Sequence, residues 1–122
     1  MKKILIVDDQ LEVRELVDIT LRSSGIKILK AGNGEEAIAA ARSEKPDLII
    51  MDLMMPGKID GLEATRILKN DEQTKKIVIL MLTAKGQKSD IKKGYEAGAD
   101  GYFTKPFSPL ELINKVEETL EP

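Results

Sequence analysis

Ile4-Leu5-Ile6-Val7-Asp8-Asp9 decides the fold: four apolar residues run straight into two adjacent acids. A second run does the same, with Leu48-Ile49-Ile50-Met51 ending at Asp52. A third, Ile77 to Leu82, is closed by Thr83, and a short fourth, Tyr102-Phe103, is followed by Lys105-Pro106. Short apolar runs without alternation read as strands buried on both faces, as in a parallel sheet. Parallel strands bring their carboxyl ends to one edge, where three carboxylates, a hydroxyl and an ammonium would converge. Carboxylates so gathered repel by roughly 4 kcal/mol for a pair ~4 Å apart at an effective dielectric of ~20. A fold that gathers them is expected to hold a cation there.

The segments between the runs carry the helical period. Val13, Leu16, Val17, Thr20 and Leu21 share one helical face, and Gly25 stands where a left-handed residue ends such a helix. Lys27-Ile28-Leu29-Lys30 is a weak strand whose charged flanks suit a sheet edge. Asn33 with Glu36 three residues on is a capping-box variant, and the alanine-rich helix behind it should end before Pro46. Asp60 can cap a third helix through about Lys69, with Ala64, Ile67 and Leu68 inward. Ile77 to Leu82 is the longest run and the best central strand. A fourth helix is expected from about Gln87 to Ala97, ended by Gly98. Ser108-Pro109-Leu110-Glu111 combines an N-cap serine, a proline at the first helical position and a glutamate at the third. Leu112, Ile113, Val116 and Leu120 give that last helix its inward stripe.

The order is therefore (βα)5, an α/β chain. It predicts a doubly wound, flavodoxin-like sheet of five parallel strands in the order 2-1-3-4-5. Such sheets bind ligands outside the carboxyl ends of the strands, at the switch in strand order. Here the switch lies between strands 1 and 3, the strands that end in Asp8-Asp9 and Asp52.

Composition narrows the chemistry. The 122 residues suit one domain, residues 1–122. Apolar residues make up 42% and charged residues 33%, which fits a soluble globular chain. A net charge of −2 lacks the basic excess that counterion release requires, so no direct nucleic-acid contact is expected. The chain contains neither Cys nor His. This excludes disulfides, thiolate nucleophiles, Cys- or His-ligated zinc, Ser-His-Asp catalysis and a phosphohistidine within the chain. The apolar run after Met1-Lys2-Lys3 stops at Asp8, too soon for a signal peptide. No run approaches the ~20 apolar residues of a membrane span. A cytoplasmic protein without membrane contact is expected.

Taken together and in order, the motifs resemble the receiver domain of two-component response regulators, of the chemotaxis-regulator type, from Lys3 to about Leu120. They are Asp8-Asp9, Asp52 with Pro56 four residues later, Asp60-Gly61, Thr83-Ala84 and Lys105-Pro106-Phe107. The resemblance implies that Asp52 is the phosphoacceptor. Asp9 and Asp52 would ligate Mg²⁺ through carboxylate oxygens, Met54 through its backbone carbonyl and Asp8 through a water, with Mn²⁺ as the alternative ion. Thr83 and Lys105 would contact the phosphoryl oxygens. Thr83, Tyr102 and Pro106 would form the switch, and the Lys105–Pro106 bond is a candidate cis peptide. Met54 and Lys85, each two residues past a site residue, would flank the path of a hydrolytic water. One departure stands out: Pro56-Gly57-Lys58-Ile59-Asp60-Gly61 carries one residue more than the family pattern.

The implied activity is that of a signalling switch. A partner histidine kinase or phosphotransfer protein would supply the phosphoryl group, and the chain would catalyse only its own phosphorylation and dephosphorylation. The helix 4–strand 5–helix 5 face would then change shape and be read by a partner that the sequence does not name. A monomer or weak dimer is expected, either standing alone or as a piece of a longer protein. Blander readings exist for each residue. An acid at a strand–helix junction is often an N-cap, Thr83 suits a strand by its branching alone, and the lysines Lys85, Lys88, Lys92 and Lys93 can be a solvated face. An FMN binder of the same fold would need a hydroxyl- and glycine-rich loop where Asp8-Asp9 stands. A phosphatase with an Asp nucleophile would space its two acids differently. A binding module that keeps only the fold would not need the intact acid set.

Overall fold

The computed structural model describes residues 2–22, 24–84 and 88–120. Five strands and five helices alternate: β1 (Lys3–Val7), α1 (Leu11–Arg22), β2 (Lys27–Ala31), α2 (Gly34–Glu44), β3 (Leu48–Asp52), α3 (Gly61–Lys69), β4 (Val78–Ala84), α4 (Lys88–Glu96), β5 (Gly101–Lys105) and α5 (Pro109–Leu120). The strands form one sheet in the order β2-β1-β3-β4-β5, and every pairing is parallel. This is the doubly wound, flavodoxin-like arrangement expected from the sequence. No helix among the described residues is long and apolar enough to cross a membrane.

Strand alternation divides the core in two. Leu5, Val7, Ile49, Met51 and Ile79 face Ala37, Ile38 and Ala41 of α2 and Ala64 and Leu68 of α3. Ile4, Ile6, Leu48, Ile50, Leu80 and Leu82 face Val17 and Leu21 of α1 and Leu112 and Val116 of α5. Fully burying each such side chain stabilises the fold by roughly 1.5–3 kcal/mol. All five residues of β3 are buried, so β3, rather than the longer β4, is the middle of the sheet. The longest run sits one place out because its order is set by the crossovers, not by its length.

The helix caps follow the sequence closely. Asn33 accepts from the Glu36 N–H, while the Glu36 carboxylate accepts from Gly32 N–H, one residue before the cap. Asp60 accepts from the Glu63 N–H at 2.9 Å. Ser108 and Glu111 exchange bonds of 3.1 and 3.2 Å, a reciprocal capping box. Gly25 adopts φ +78°, as its place after α1 requires. Two expectations shift. Leu16, placed on the inward face of α1, is 37% exposed, because the strip of α1 that meets the core runs through Val13, Val17 and Leu21 and Leu16 falls at its margin. The fourth helix is described from Lys88 onward; Gln87 lies outside the described residues, as does Lys85.

Candidate functional site

Strand register builds the site. Val7 pairs with Met51, so Asp8 stands one step beyond, beside Asp52, the last residue of β3. Asp52 pairs with Leu82, and Ala84 pairs with Lys105. Asp8, Asp52, Thr83 and Lys105 thus meet along one edge. Asp52 and Lys105 belong to the strands themselves rather than to the loops after them. Asp8, Asp9 and Asp52 each offer a carboxylate oxygen within 4.8 Å of the others. Asp8 and Asp52 are buried, and Asp9 is exposed.

The Lys105 ammonium lies between the buried acids. Its Nζ is 2.7 Å from Asp8 Oδ2 and 3.3 Å from Asp52 Oδ2, and it donates to Gln10 Oε1 at 3.2 Å. The approach to Asp8 is a close ion pair but not a well-directed hydrogen bond, so Asp8 Oδ2 has no hydrogen-bond partner among the described residues. Asp8 Oδ1 accepts from the Gln10 N–H at 2.9 Å, and Asp52 Oδ1 accepts from the Met54 N–H at 3.1 Å. The cap-like role read for a single acid here therefore falls to Asp8, which leaves Asp9 unexplained by it.

Burial and the neighbouring Asp8 charge push the Asp52 carboxyl up from 3.8 to about 6, against the lowering pull of the Met54 N–H and of Lys105. Burial would lower the pKa of Lys105, but its close pairing with Asp8 and the charges of Asp52 and Asp8 outweigh this and raise it. One cation thus faces two buried anions, and the local charge is not balanced.

The Thr83 hydroxyl is buried and has no hydrogen-bond partner among the described residues. An orphaned buried hydroxyl costs roughly 1–3 kcal/mol. Together with three hard carboxylate donors, it fits a site built for an oxygen-loving divalent cation and an anionic oxygen group. Asp9, Gln10, Asp52, Met54, Ala84 and Lys105 line a cavity of about 310 Å³ at this edge. A larger one of about 500 Å³ lies between β5 and α5, but it gathers no carboxylate cluster of this kind, so size does not locate the chemistry.

Thr83 and Tyr102, two of the three positions expected to form a switch, lie on one face. Met81 pairs with Tyr102 and Thr83 with Thr104, so the period-2 alternation puts all four on the side that meets α4. Tyr102 is 37% exposed and packs edge-on against Tyr95 of α4, with ring centroids 6.2 Å apart. The Lys105–Pro106 bond is cis. The Met54 side chain is 73% exposed.

The crest of the β3–α3 loop, which carries the extra residue, is exposed at Pro56, Gly57 and Lys58, and Gly57 adopts φ +109°. The base of the loop is held in place by glycines. A Cβ on Gly61 would lie 2.1 Å from the Asp52 carbonyl oxygen, and one on Gly34 would lie 2.3 Å from the Ile59 carbonyl oxygen. Two residues that sequence reading did not single out also serve the site. Gln10 shares the lysine, and Arg14 donates to the Asp8 carbonyl at 2.7 Å. Neither carries a pattern that separates it from an ordinary surface residue.

The family model of the response regulator receiver domain matches residues 4–117. The phosphate regulon transcriptional regulatory protein PhoB of Pseudomonas aeruginosa is 47% identical over 119 residues, which cover 98% of this chain and 52% of that protein. The chain spans about half the length of the curated relatives it matches. Among solved structures, the chemotaxis response regulator CheY4 of Vibrio cholerae superposes with a TM-score of 0.92 at 35% identity, covering 98% of this chain and 99% of that one. The receiver domain of a sensor histidine kinase from Pseudomonas aeruginosa, solved with a magnesium ion coordinated in its active-site cleft, gives a TM-score of 0.89 at 29% identity, covering 99% and 98%. The chain belongs to the response regulator receiver domain family.

Proposed function

We propose that Asp52 accepts a phosphoryl group from a phosphohistidine on a partner histidine kinase or phosphotransfer protein. The observation that carries this reading is a buried carboxylate, raised to about 6, beside an ammonium at 3.3 Å and an unpartnered buried hydroxyl. At neutral pH Asp52 is ionised and nucleophilic. One of its oxygens forms the O–P bond, the P–N bond to the donor imidazole breaks, and the imidazole leaves with that electron pair and is protonated. Lys105, already bridging Asp8 and Asp52, would turn to the phosphoryl oxygens, and the Thr83 hydroxyl would gain its missing partner there.

Asp9 and Asp52 would hold Mg²⁺, or Mn²⁺ in its place, with the Met54 carbonyl, and Asp8 would reach it through a water. Bound there, the ion would offset the charge of the phosphoryl oxygens. The magnesium described in the histidine-kinase receiver supports this assignment. The chain would catalyse only its own phosphorylation and dephosphorylation.

The readout would run from Thr83 to α4. Drawn towards the phosphoryl group, Thr83 leaves room for Tyr102 to turn inward from its place on Tyr95, and the α4–β5–α5 face changes shape for a partner. The only buried residue of α4 is Gly94, so little packing opposes its movement. A cytoplasmic monomer or weak dimer fits this role. PhoB is by name a transcriptional regulator; the expectation that this domain itself makes no nucleic-acid contact rests on its net charge of −2 alone.

The test is incubation with Mg²⁺ and acetyl phosphate, followed by intact mass and mapping of the modified residue. The wild-type protein should gain one phosphoryl group on Asp52. A gain of equal size by Asp52→Asn, or none by the wild type, overturns the reading.

A further inference from the structure

Arg14 sits in the first turns of α1, and its Nη1 donates to the main-chain carbonyl of Asp8 at 2.7 Å. That carbonyl belongs to the peptide group that joins Asp8 to Asp9. Other bonds fix the residues on either side. The Asp8 N–H donates to the Ala31 carbonyl, and the Gln10 carbonyl accepts from Val13 and Arg14, while Gln10 N–H donates to Asp8 Oδ1. Among the described residues, only the guanidinium holds the joining peptide itself.

The Asp9 carboxylate is exposed, and no hydrogen bond or ion pair holds it among the described residues. Its direction is therefore set by the main chain, and through it by Arg14. The guanidinium in turn makes no ion pair among the described residues. Of its five N–H donors, the one engaged in a side-chain bond goes to a main-chain carbonyl rather than to a nearby carboxylate. The guanidinium lies beside Gly32, where even an added Cβ would stand at an ordinary contact distance of 3.4 Å from Nη1. An arginine placed for charge neutralisation would reach a carboxylate; this one braces a peptide.

We infer that Arg14 is a positioning residue for the divalent cation, holding the Asp8–Asp9 peptide so that Asp9 faces Asp52. This rests on the reading of the acid cluster as a cation site. The two roles open to Arg14 differ in sign. If it acted only through its charge, its removal beside three carboxylates would tighten cation binding. If it positions Asp9, its removal weakens binding, and more for Mg²⁺, which demands near-octahedral geometry, than for Ca²⁺, which tolerates irregular coordination.

The experiment is calorimetric titration of Mg²⁺ and of Ca²⁺ into the wild type, Arg14→Gln and Arg14→Lys, without any phosphoryl donor, with circular dichroism to confirm folding. Arg14→Gln should weaken Mg²⁺ binding by roughly tenfold or more, the range for residues that orient metal ligands, and Ca²⁺ binding by less. Arg14→Lys, with the charge kept but the planar fork lost, should fall between, and it decides the matter if Arg14→Gln does not fold. Tighter or unchanged Mg²⁺ binding, or equal loss for both ions, overturns the inference while leaving the site reading intact. A wild type that binds neither ion overturns the site reading and this inference with it.

Discussion

Asp52→Asn should make this protein more stable at neutral pH while abolishing its phosphorylation. The Asp52 carboxyl is raised from 3.8 to about 6, mainly by burial and by the Asp8 charge. For an acid, a folded-state value above the unfolded one means that the folded state binds more protons between the two. Stability then falls as pH rises from about 4 to about 6, and the full cost is present above that. A shift of about two units corresponds to roughly 3 kcal/mol, and solvent reaching the open rim reduces this to about 2 kcal/mol. Asparagine keeps the shape and can still accept from the Met54 N–H, but it carries no charge against Asp8. At ~2.1 cal/mol/K of unfolding entropy per residue, the gain is worth about 8 °C in melting temperature for a chain of this length. Urea unfolding of both proteins from pH 4 to pH 8, in EDTA, reads it directly. The stability difference should be close to zero at pH 4 and reach its plateau above pH 7. Saturating Mg²⁺ should close the gap, because mass action stabilises the protein with the intact ligand set by about 2.7 kcal/mol at a hundredfold excess over Kd. A variant no more stable than the wild type at pH 7.5, or equally stabilised at pH 4, would refute the charge account.

Thr83→Val should raise stability by about 1 kcal/mol, since it removes a buried hydroxyl that has no partner, while uncoupling phosphorylation from any change in Tyr102 fluorescence. A loss of stability would mean that the hydroxyl is bonded in the unphosphorylated protein. Gly61→Ala should cost about 3 kcal/mol or more, because its Cβ would lie 2.1 Å from the Asp52 carbonyl oxygen and 2.7 Å from Leu53 Cα, neither of which can turn away. Urea midpoints check this, and a change within about 0.5 kcal/mol, the size of an ordinary surface substitution, would show that the β3–α3 loop is free to move.

The fold was legible because its strands announce themselves. Four apolar runs end at acids, a hydroxyl and a lysine, and parallel pairing brings those ends together. The caps at Asn33, Asp60 and Ser108 were legible for a local reason, since each needs only a side chain and an N–H three residues on. What the sequence hid depends on through-space fit. Gly61 and Gly34 look like ordinary helix starts until the Asp52 and Ile59 carbonyls are seen pressing on them. Arg14 lies on a helix whose Glu12, Glu15 and Arg22 are exposed, and nothing in its spacing marks the bond to Asp8. Leu16 was misplaced because a helical face read from periodicity is wider than the strip that meets the sheet.

The central strands also pose a question that their composition cannot answer. The runs 4–7 of β1 and 48–51 of β3 are apolar on both faces, so within them a slip of one residue would exchange one apolar face for the other. Polarity therefore does not set their register, although in a sheet with one wet face it would. The constraint lies at the opposite end of the strands. Lys3 N–H donates to Asp47 Oδ2 at 2.8 Å, Asp47 N–H donates to the Lys3 carbonyl at 2.9 Å, and the Asp47 carbonyl accepts from Val78 N–H. One residue thus ties the starts of β1, β3 and β4 together. Five residues further on, at about 3.3 Å per residue, the same register places Asp8 beside Asp52. The geometry of the acid cluster is fixed as much by this clamp at the far end as by any group that touches it.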